Sequence, residues 1–358
     1  MKNLKDTIVF PCGAQMKNRF MLAPMTNTQS NEDGTLSEDE LHWLTMRAKG
    51  GFGLVMTCAS HVQEIGKGFP GQLGIFNDKH IEGHRRLAKA LKAEGSLAVV
   101  QLHHAGMRAP KELINTKPVA PSQLEEFDTR ALSLDEIKHV REDFISAAVR
   151  AQKAGYDGIE VHGAHTYLIC EFLSKEHNLR TDEYGGSLEN RSRILFEIVH
   201  GIRKTCGKDF LIGVRLSPER FGMDIHEIQL VSQKLIDDGD TDFLDISLWD
   251  CFKYPEDSMY RGKKLLDYFT ELDFKKVKFT VAGKINTAKE VHAILKSKVD
   301  FVTIGRSAIL HHDFPTRVMN DPNFEPVKIP VSKAYLKKEG LSDSFIKYMD
   351  RWPGFVKK

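Results

Sequence analysis

The strongest constraint on this chain is an alternation, repeated eight times, of short apolar runs with segments of helical period. The runs are Phe20–Pro24, Leu54–Ala59, Leu97–Leu102, Gly158–His162, Phe210–Leu216, Phe243–Leu248, Lys278–Ala282 and Phe301–Ile304. Between them lie amphipathic stretches such as Ile81–Ala93, Leu134–Ala154, Glu189–Thr205 and Ile225–Asp237. Strands that are apolar throughout, rather than on alternate residues, belong to a parallel sheet covered on both faces. Eight such units close economically into an α/β protein of the (β/α)8 (TIM) barrel type, with an open doubly wound sheet as the alternative. Ser37…Glu40, Ser133…Glu136 and Thr287…Glu290 have capping-box spacing at helix starts. Gly95, Gly155 and Gly239 stand where helical stretches end and strands begin. No linker rich in proline, glycine or serine divides the chain. One domain spanning 1–358 is expected, with a barrel over about 19–320 and a C-terminal tail over about 321–358. The tail is expected to lie on the barrel exterior and to carry a helix over Leu341–Asp350.

Composition removes other classes. The 358 residues carry 51 Lys+Arg against 49 Asp+Glu, a net charge of +2, so the chain has no electrostatic footprint for nucleic acid. At 41% hydrophobic and 28% charged it is an ordinary globular sequence. No apolar run reaches the ~18–20 residues of a membrane helix, and the first twenty residues do not read as a signal peptide. Cys12, Cys58, Cys170, Cys206 and Cys251 are scattered singly. That pattern suits reduced thiols in a cytoplasmic protein better than a disulfide framework or a zinc or iron–sulfur site.

In such a barrel, side chains at the carboxyl ends of the strands converge on one mouth. Those ends carry Pro24-Met25-Thr26, Cys58-Ala59-Ser60, Gln101 with His103 and His104, His162, Arg215, Trp249-Asp250, Gly283-Lys284 and Gly305-Arg306. The set is rich in donors and basic groups, with Asp250 its only carboxylate. It therefore favours an anionic ligand over a metal-dependent hydrolase built on the histidines, the alternative reading. Gly283-Lys284 and Gly305-Arg306 end the last two strands, where backbone amides and an arginine can grip a phosphate; tight turns with a surface arginine are the bland alternative. His162, His165 and Tyr167 in HGAHTYL suit an oxyanion clamp beside a proton source, against a metal pair or core histidines. Arg215 on an apolar strand must face an anion, a carbonyl or a buried salt bridge. Gln101 is as consistent with a buried amide satisfying backbone groups. The charges of the loop Asn178–Arg191 are expected to brace it.

Taken together, LAPMTN, QLHHAGMRA, GYDGIEVHGAHTYLICEFLS, LRTDEYGGSLENR, VRLSPE and TIGRSA resemble the Old Yellow Enzyme family of flavin-dependent ene-reductases. The likeness runs from about Asp6 to about Phe314, with the spacing of the shorter bacterial branch. The resemblance implies FMN at the barrel mouth and NADH or NADPH as reductant. Ala23, Pro24, Met25 and Thr26 would line the ring system, Ala59 and Gln101 would touch it, and Arg215 would face its N1/O2 edge. Gly283, Lys284, Gly305 and Arg306 would surround the phosphate. His162 and His165 would hold a substrate oxygen, and Tyr167 would donate the proton. The implied substrates are electron-poor alkenes (enones, nitroalkenes) or quinones. One branch carries cysteine at the Thr26 position and tyrosine where Thr28 stands, so the pocket differs there. A small-molecule partner and a homo-oligomer complete the expectations; in some relatives a C-terminal arginine enters a neighbour's site, but Arg351 is expected to be solvated, as terminal arginines usually are.

Overall fold

The computed structural model describes residues 2–358. Eight strands form a closed, all-parallel barrel: β1 Phe20–Leu22, β2 Leu54–His61, β3 Leu97–His103, β4 Gly158–Gly163, β5 Leu211–Leu216, β6 Phe243–Ser247, β7 Lys278–Ala282 and β8 Phe301–Ile304. Each pairs with its sequence neighbours, and β8 closes on β1 through Val302↔Phe20 and Ile304↔Leu22. The expected (β/α)8 architecture is therefore correct. The connecting helices include α1 Glu38–Lys49, α2 Ile81–Ala93, α3 Leu134–Ala154, α4 Leu188–Cys206, α5 Ile225–Asp238, α6 Leu265–Thr270, α7 Ala288–Leu295 and α8 Phe314–Asn320. None of the described helices is long and apolar enough to cross a membrane.

Local chemistry sets the element ends. Ser133 and Glu136, and Thr287 and Glu290, form reciprocal capping boxes. Ser37 gives only half of one: it accepts from Glu40 N at 3.1 Å, but the Glu40 carboxylate turns inward to Asn27 at 3.0 Å and to Ser30. Gly155 and Gly239 close α3 and α5 in the left-handed conformation, where a side chain would be strained. β1 stops at Leu22, short of Pro24, which has no N–H to donate. β2 runs past Ala59 to His61 because the register against β3 slips between Met56 and Ala59. The slip marks a β-bulge, after which Ala59, Ser60 and His61 pair with Gln101, Leu102 and His103.

One end of the barrel is plugged. A hairpin pairing Ile8–Val9 with Gln15–Met16 packs Ile8, Phe10 and Met16 against the interior residues Met21, Leu54, Met56, Val99, Leu211, Phe243 and Phe301. The rings of Phe10, Phe243 and Phe301 meet at centroid distances of 5.8–6.0 Å. Gly213 faces Phe243, whose ring occupies the space a Cβ would need. With this end filled, the opposite mouth is the open one.

The tail does more than coat the exterior. Its final helix is Asp343–Met349, inside the expected Leu341–Asp350, and Phe345 packs edge-on against Trp43 of α1 at 5.3 Å. Ser342 N–H donates to Gln29 Oε1 at 3.1 Å, and Thr28 Oγ1 donates to the Ser344 carbonyl at 3.3 Å. The tail is thus tied to the loop after β1, at the mouth. Arg351 is exposed and lies 6.0 Å from the ring of its own Tyr348.

Candidate active site

β4 delivers His162 to the mouth, and the chain then turns back on itself. His165 (φ 63°) and Thr166 (φ 59°) are both left-handed, at a cost of order 1–3 kcal/mol each. His165 N–H donates to Ser217 Oγ at 3.0 Å, and its carbonyl accepts from Arg108 Nη1 at 2.9 Å, which holds the turn. The turn brings three side chains of one heptapeptide together: His162 lies 5.2 Å from both His165 and Tyr167, centroid to centroid. His103 from the end of β3 completes the group, 4.2 Å from Tyr167 and 5.6 Å from His162. Of the ten non-glycine residues with positive φ, Thr28, His165, Thr166, Arg220, Phe221, Trp249 and Lys284 all lie in loops at this mouth. Backbone strain concentrates where function needs unusual side-chain directions.

The electrostatics of the cluster follow from burial. Desolvation pushes His162, His165 and His103 well below the usual imidazole range, and their mutual proximity with Arg215 and Arg108 adds to it. All three are neutral near pH 7. Burial raises the Tyr167 phenol, Arg108 opposes that and Tyr348 of the tail reinforces it, so the proton stays on. His165 Nε2 lies 2.8 Å from Ser247 Oγ. His162 Nδ1 and His103 Nε2 are buried without a hydrogen-bond partner. Such atoms are costly in a finished core and fit a site that receives a ligand.

Other buried histidines give a stability test. Desolvation lowers His61 and His84 to about 4 and His104 to about 3, from an ordinary 6.5. Below pH 6.5 the unfolded chain binds protons that the folded chain refuses, so stability is fully present above 6.5 and is lost as pH falls through about 4. Buried carboxyls that keep their proton in the fold, Glu160 and Glu171, act in the opposite sense, so the histidine contribution is read by difference. Scanning calorimetry is expected to show the Tm deficit of His84→Gln against the wild type shrinking as pH falls from 6.5 to 5, and a deficit constant over that range contradicts this account.

Beneath the histidines lies a buried charged group. Arg215 Nε sits 3.1 Å from Asp245 Oδ2 without hydrogen-bond alignment, and Nη2 lies 3.5 Å from Ser247 Oγ. No protein acceptor holds Nη1 among the described residues. Gln101 Nε2 donates to Glu160 Oε1 at 2.7 Å. Burial and the Asp245 carboxylate push Glu160 up, so one arginine is balanced by one ionised and one protonated carboxyl.

The remaining sequence-derived positions also ring this mouth. Ala23, Pro24, Met25 and Thr26 form the loop after β1, and Ala23 N–H donates to the Ile304 carbonyl at 3.0 Å. Ala59 and Gln101 are register partners on β2 and β3. Gly305 is open above: an added Cβ would meet only Met25 Sδ, at 3.9 Å. Arg306 is exposed, with no carboxylate partner among the described residues. Gly283 instead packs under the loop that follows β6, where a Cβ would come within 2.7 Å of Asp250 N. The Lys284 ammonium turns away to Asp250 at 3.0 Å, leaving its backbone for any ligand. His104 pins the loop after β3, with Nε2 3.0 Å from Gln63 Oε1 and Nδ1 accepting from Gly106 N–H at 3.0 Å. Among the described residues no three His, Cys, Asp or Glu side chains converge as a metal site. That arrangement gives no support to the hydrolase alternative. A groove of about 500 Å³ between α4 and α5, lined by Leu188, Phe196 and Leu230, contains none of these residues.

The sequence profile of the NADH:flavin oxidoreductase / NADH oxidase family matches residues 11–325. The chain belongs to the Old Yellow Enzyme family. It is an NAD(P)H:flavin oxidoreductase. The probable NADH-dependent flavin oxidoreductase YqiG of Bacillus subtilis is 36% identical over 330 residues, 88% of each chain. An NADPH dehydrogenase of Bacillus cytotoxicus is 34% identical over 87% of this chain and 90% of its own. The solved Old Yellow Enzyme homologue from Zymomonas mobilis superposes with a TM-score of 0.80 at 29% identity, covering 96% of this chain and 99% of that one. The family resemblance read from the sequence motifs is therefore correct. Two further mouth residues escaped the sequence reading as site components, Arg108 and Ser247, and Trp249 stood in it only as a strand-end residue without a role. Trp249 lies 6.1 Å from His165 with the Arg220 guanidinium 5.0 Å above its ring. Its position after a strand signals the mouth, but not these two contacts.

Proposed function

We propose that this chain reduces electron-poor alkenes, such as enones and nitroalkenes, or quinones, at the expense of NADH or NADPH, with FMN as its flavin. The observation that carries the reading is the adjacency of two neutral imidazoles and a protonated phenol above a buried arginine. The residues fit a phosphorylated flavin on three counts: Arg306 lacks a carboxylate partner, Gly305 leaves open space for close approach, and Arg215 Nη1 lacks a protein acceptor. Arg306 and the Gly305 backbone would hold the phosphate, Arg215 the polar edge of the ring system, and the 23–26 loop its flank. When bound, the flavin supplies hydride transfer in both directions, from the nicotinamide and to the acceptor.

The protein supplies the rest. His162 and His165 donate N–H groups to a carbonyl or nitro oxygen and stabilise the negative charge that grows there. Being neutral, they bind that oxygen without protonating it first. Tyr167 holds a proton at its hydroxyl and gives it to the carbon next to the activating group. The buried surroundings exclude water and strengthen each of these interactions. Five unpaired cysteines, four of them buried, fit a cytoplasmic setting.

The test is direct. The purified protein is expected to be yellow, to bleach anaerobically with NADH or NADPH, and to recover colour with an enone. A flavin-loaded protein that bleaches but is not reoxidised by any enone, nitroalkene or quinone would falsify the proposal.

A further inference from the structure

The basic side chains around the mouth are mostly neutralised by their own neighbours. Arg215 pairs with Asp245, Lys284 with Asp250, Arg220 with Glu256 and Lys253 with Glu219. Arg306 is free, and the phosphate reading uses it. Arg108 is a further exception: no carboxylate pairs with it among the described residues. It is exposed but not loose. Its Nη1 donates to the His165 carbonyl at 2.9 Å, and its guanidinium sits 5.0 Å from the centroid of the Tyr167 ring.

The loop that carries Arg108 is built to hold it there. Gly106 (φ 57°) leaves no room for a side chain, because a Cβ would overlap the Glu171 carboxyl. Glu171 Oε1 accepts from Met107 N–H at 2.8 Å, and His104 accepts from Gly106 N–H. Glu171 forms no ion pair with Arg108; burial pushes its carboxyl well above the usual carboxylate range, with the Met107 N–H and the Arg108 charge opposing that. The charge of Arg108 reaches His103, His162 and His165, each of which it helps to keep neutral. At the substrate end of the mouth, then, a fixed uncompensated cation adjoins uncharged donors. The donors suit a carbonyl oxygen, and the guanidinium suits a carboxylate, which it can grip with two parallel N–H groups.

We infer that Arg108 recognises a carboxylate, and that the substrate class of this site is an electron-poor alkene that carries an acidic group in addition to its activating carbonyl. The inference rests on the alkene-reduction reading above. In that reaction the β-carbon receives a hydride that originates on NAD(P)H and the α-carbon receives the Tyr167 proton. The C=C bond becomes C–C, NAD(P)H becomes NAD(P)+, and the phenolate regains a proton from water. The carboxylate is a spectator that fixes orientation, so Arg108 sets specificity without touching the reacting atoms.

The test uses the flavin-loaded enzyme and matched probes: acetylacrylate, an enone with a carboxylate, against its methyl ester, and their saturated products levulinate and methyl levulinate. Calorimetry is expected to show levulinate binding at least about 10-fold tighter than its ester, as a charge-assisted pair implies. Arg108→Gln is expected to erase that preference, and Arg108→Lys to restore part of it. The ratio of kcat/KM for acetylacrylate over its ester is expected to fall about 10- to 100-fold in Arg108→Gln. A preference absent from the wild type, or unchanged in Arg108→Gln, overturns the inference. If the ester is still reduced in that case, alkene reduction survives without it. If neither acid nor ester is reduced, it is the alkene-reduction reading that fails.

Discussion

Tyr167→Phe is expected to lower the rate of enone reduction by about 10²- to 10⁴-fold, the usual range for a positioned general acid. The substitution removes one oxygen and keeps the ring, so the edge contact with His103 at 4.2 Å and the stacking of Arg108 at 5.0 Å both persist. Loss of rate then reports the proton and not the packing. Reduction of the enzyme by NAD(P)H needs no proton from Tyr167 and is expected to stay within about 3-fold of wild type, below the range a general acid commands. Quinone reduction should fall less than enone reduction, because its proton goes to an oxygen and not to a carbon. The pH profile adds a second signature. With Tyr167 raised and the three histidines lowered, none of the four titrates between pH 6.5 and 10. These four therefore give the wild-type oxidative step no titration from pH 7 to 9, and a slope there belongs to Glu160 beneath them, which burial pushes up to about 8. Stopped-flow measurement of that step decides the matter: a Tyr167→Phe rate within a few-fold of wild type removes the residue from the proposed role.

The barrel was legible because its signal is redundant. Eight apolar runs each carry enough β-branched and aromatic residues to stand apart from the helices, and a parallel sheet leaves few ways to connect them. Strand ends were less legible, since the β2 extension depends on a register slip against β3 that no local pattern records. The half-box at Ser37 has the same cause: Glu40 is drawn to Asn27 and Ser30, partners distant enough in sequence to leave no trace in the spacing. Within the site, His162, His165 and Tyr167 were legible because they lie in one heptapeptide that folds back on itself. Arg108 was not, and Trp249 only as a strand-end residue, because their neighbours come from other loops. The ties of the tail to the mouth were hidden for a related reason. Its helix was visible in the sequence, but the bonds from Ser342 and Ser344 to Gln29 and Thr28 span more than 300 residues. Thr28 stands where one branch of the family has a tyrosine, and it is this residue that ties down the helix carrying Tyr348.

His162→Ala is the second large effect expected, about 10²- to 10³-fold in kcat for an enone, the typical loss for one oxyanion donor. The argument turns on what His162 does not do in the folded chain. It is 4% exposed, flanked by His165, His103 and Tyr167, and its Nδ1 has no protein partner. A donor kept unsatisfied in so crowded a place is available to an oxygen brought by the substrate. Because the charge on that oxygen grows only as the reaction proceeds, the loss should fall on kcat more than on KM. His165 is less free, with Nε2 already 2.8 Å from Ser247 Oγ, so its other nitrogen is the one left to donate. Two donors to one oxygen act as a unit. The double variant His162→Ala/His165→Ala is therefore expected to be little worse than the worse single variant, instead of showing the product of the two losses. His162→Asn, which keeps an N–H of similar reach, should recover a substantial part of the loss, whereas a purely packing role would be rescued no better by Asn than by Leu. Steady-state kinetics on the wild type and the five variants separates the two, and equal activity of His162→Asn and His162→Leu would assign the residue to the core.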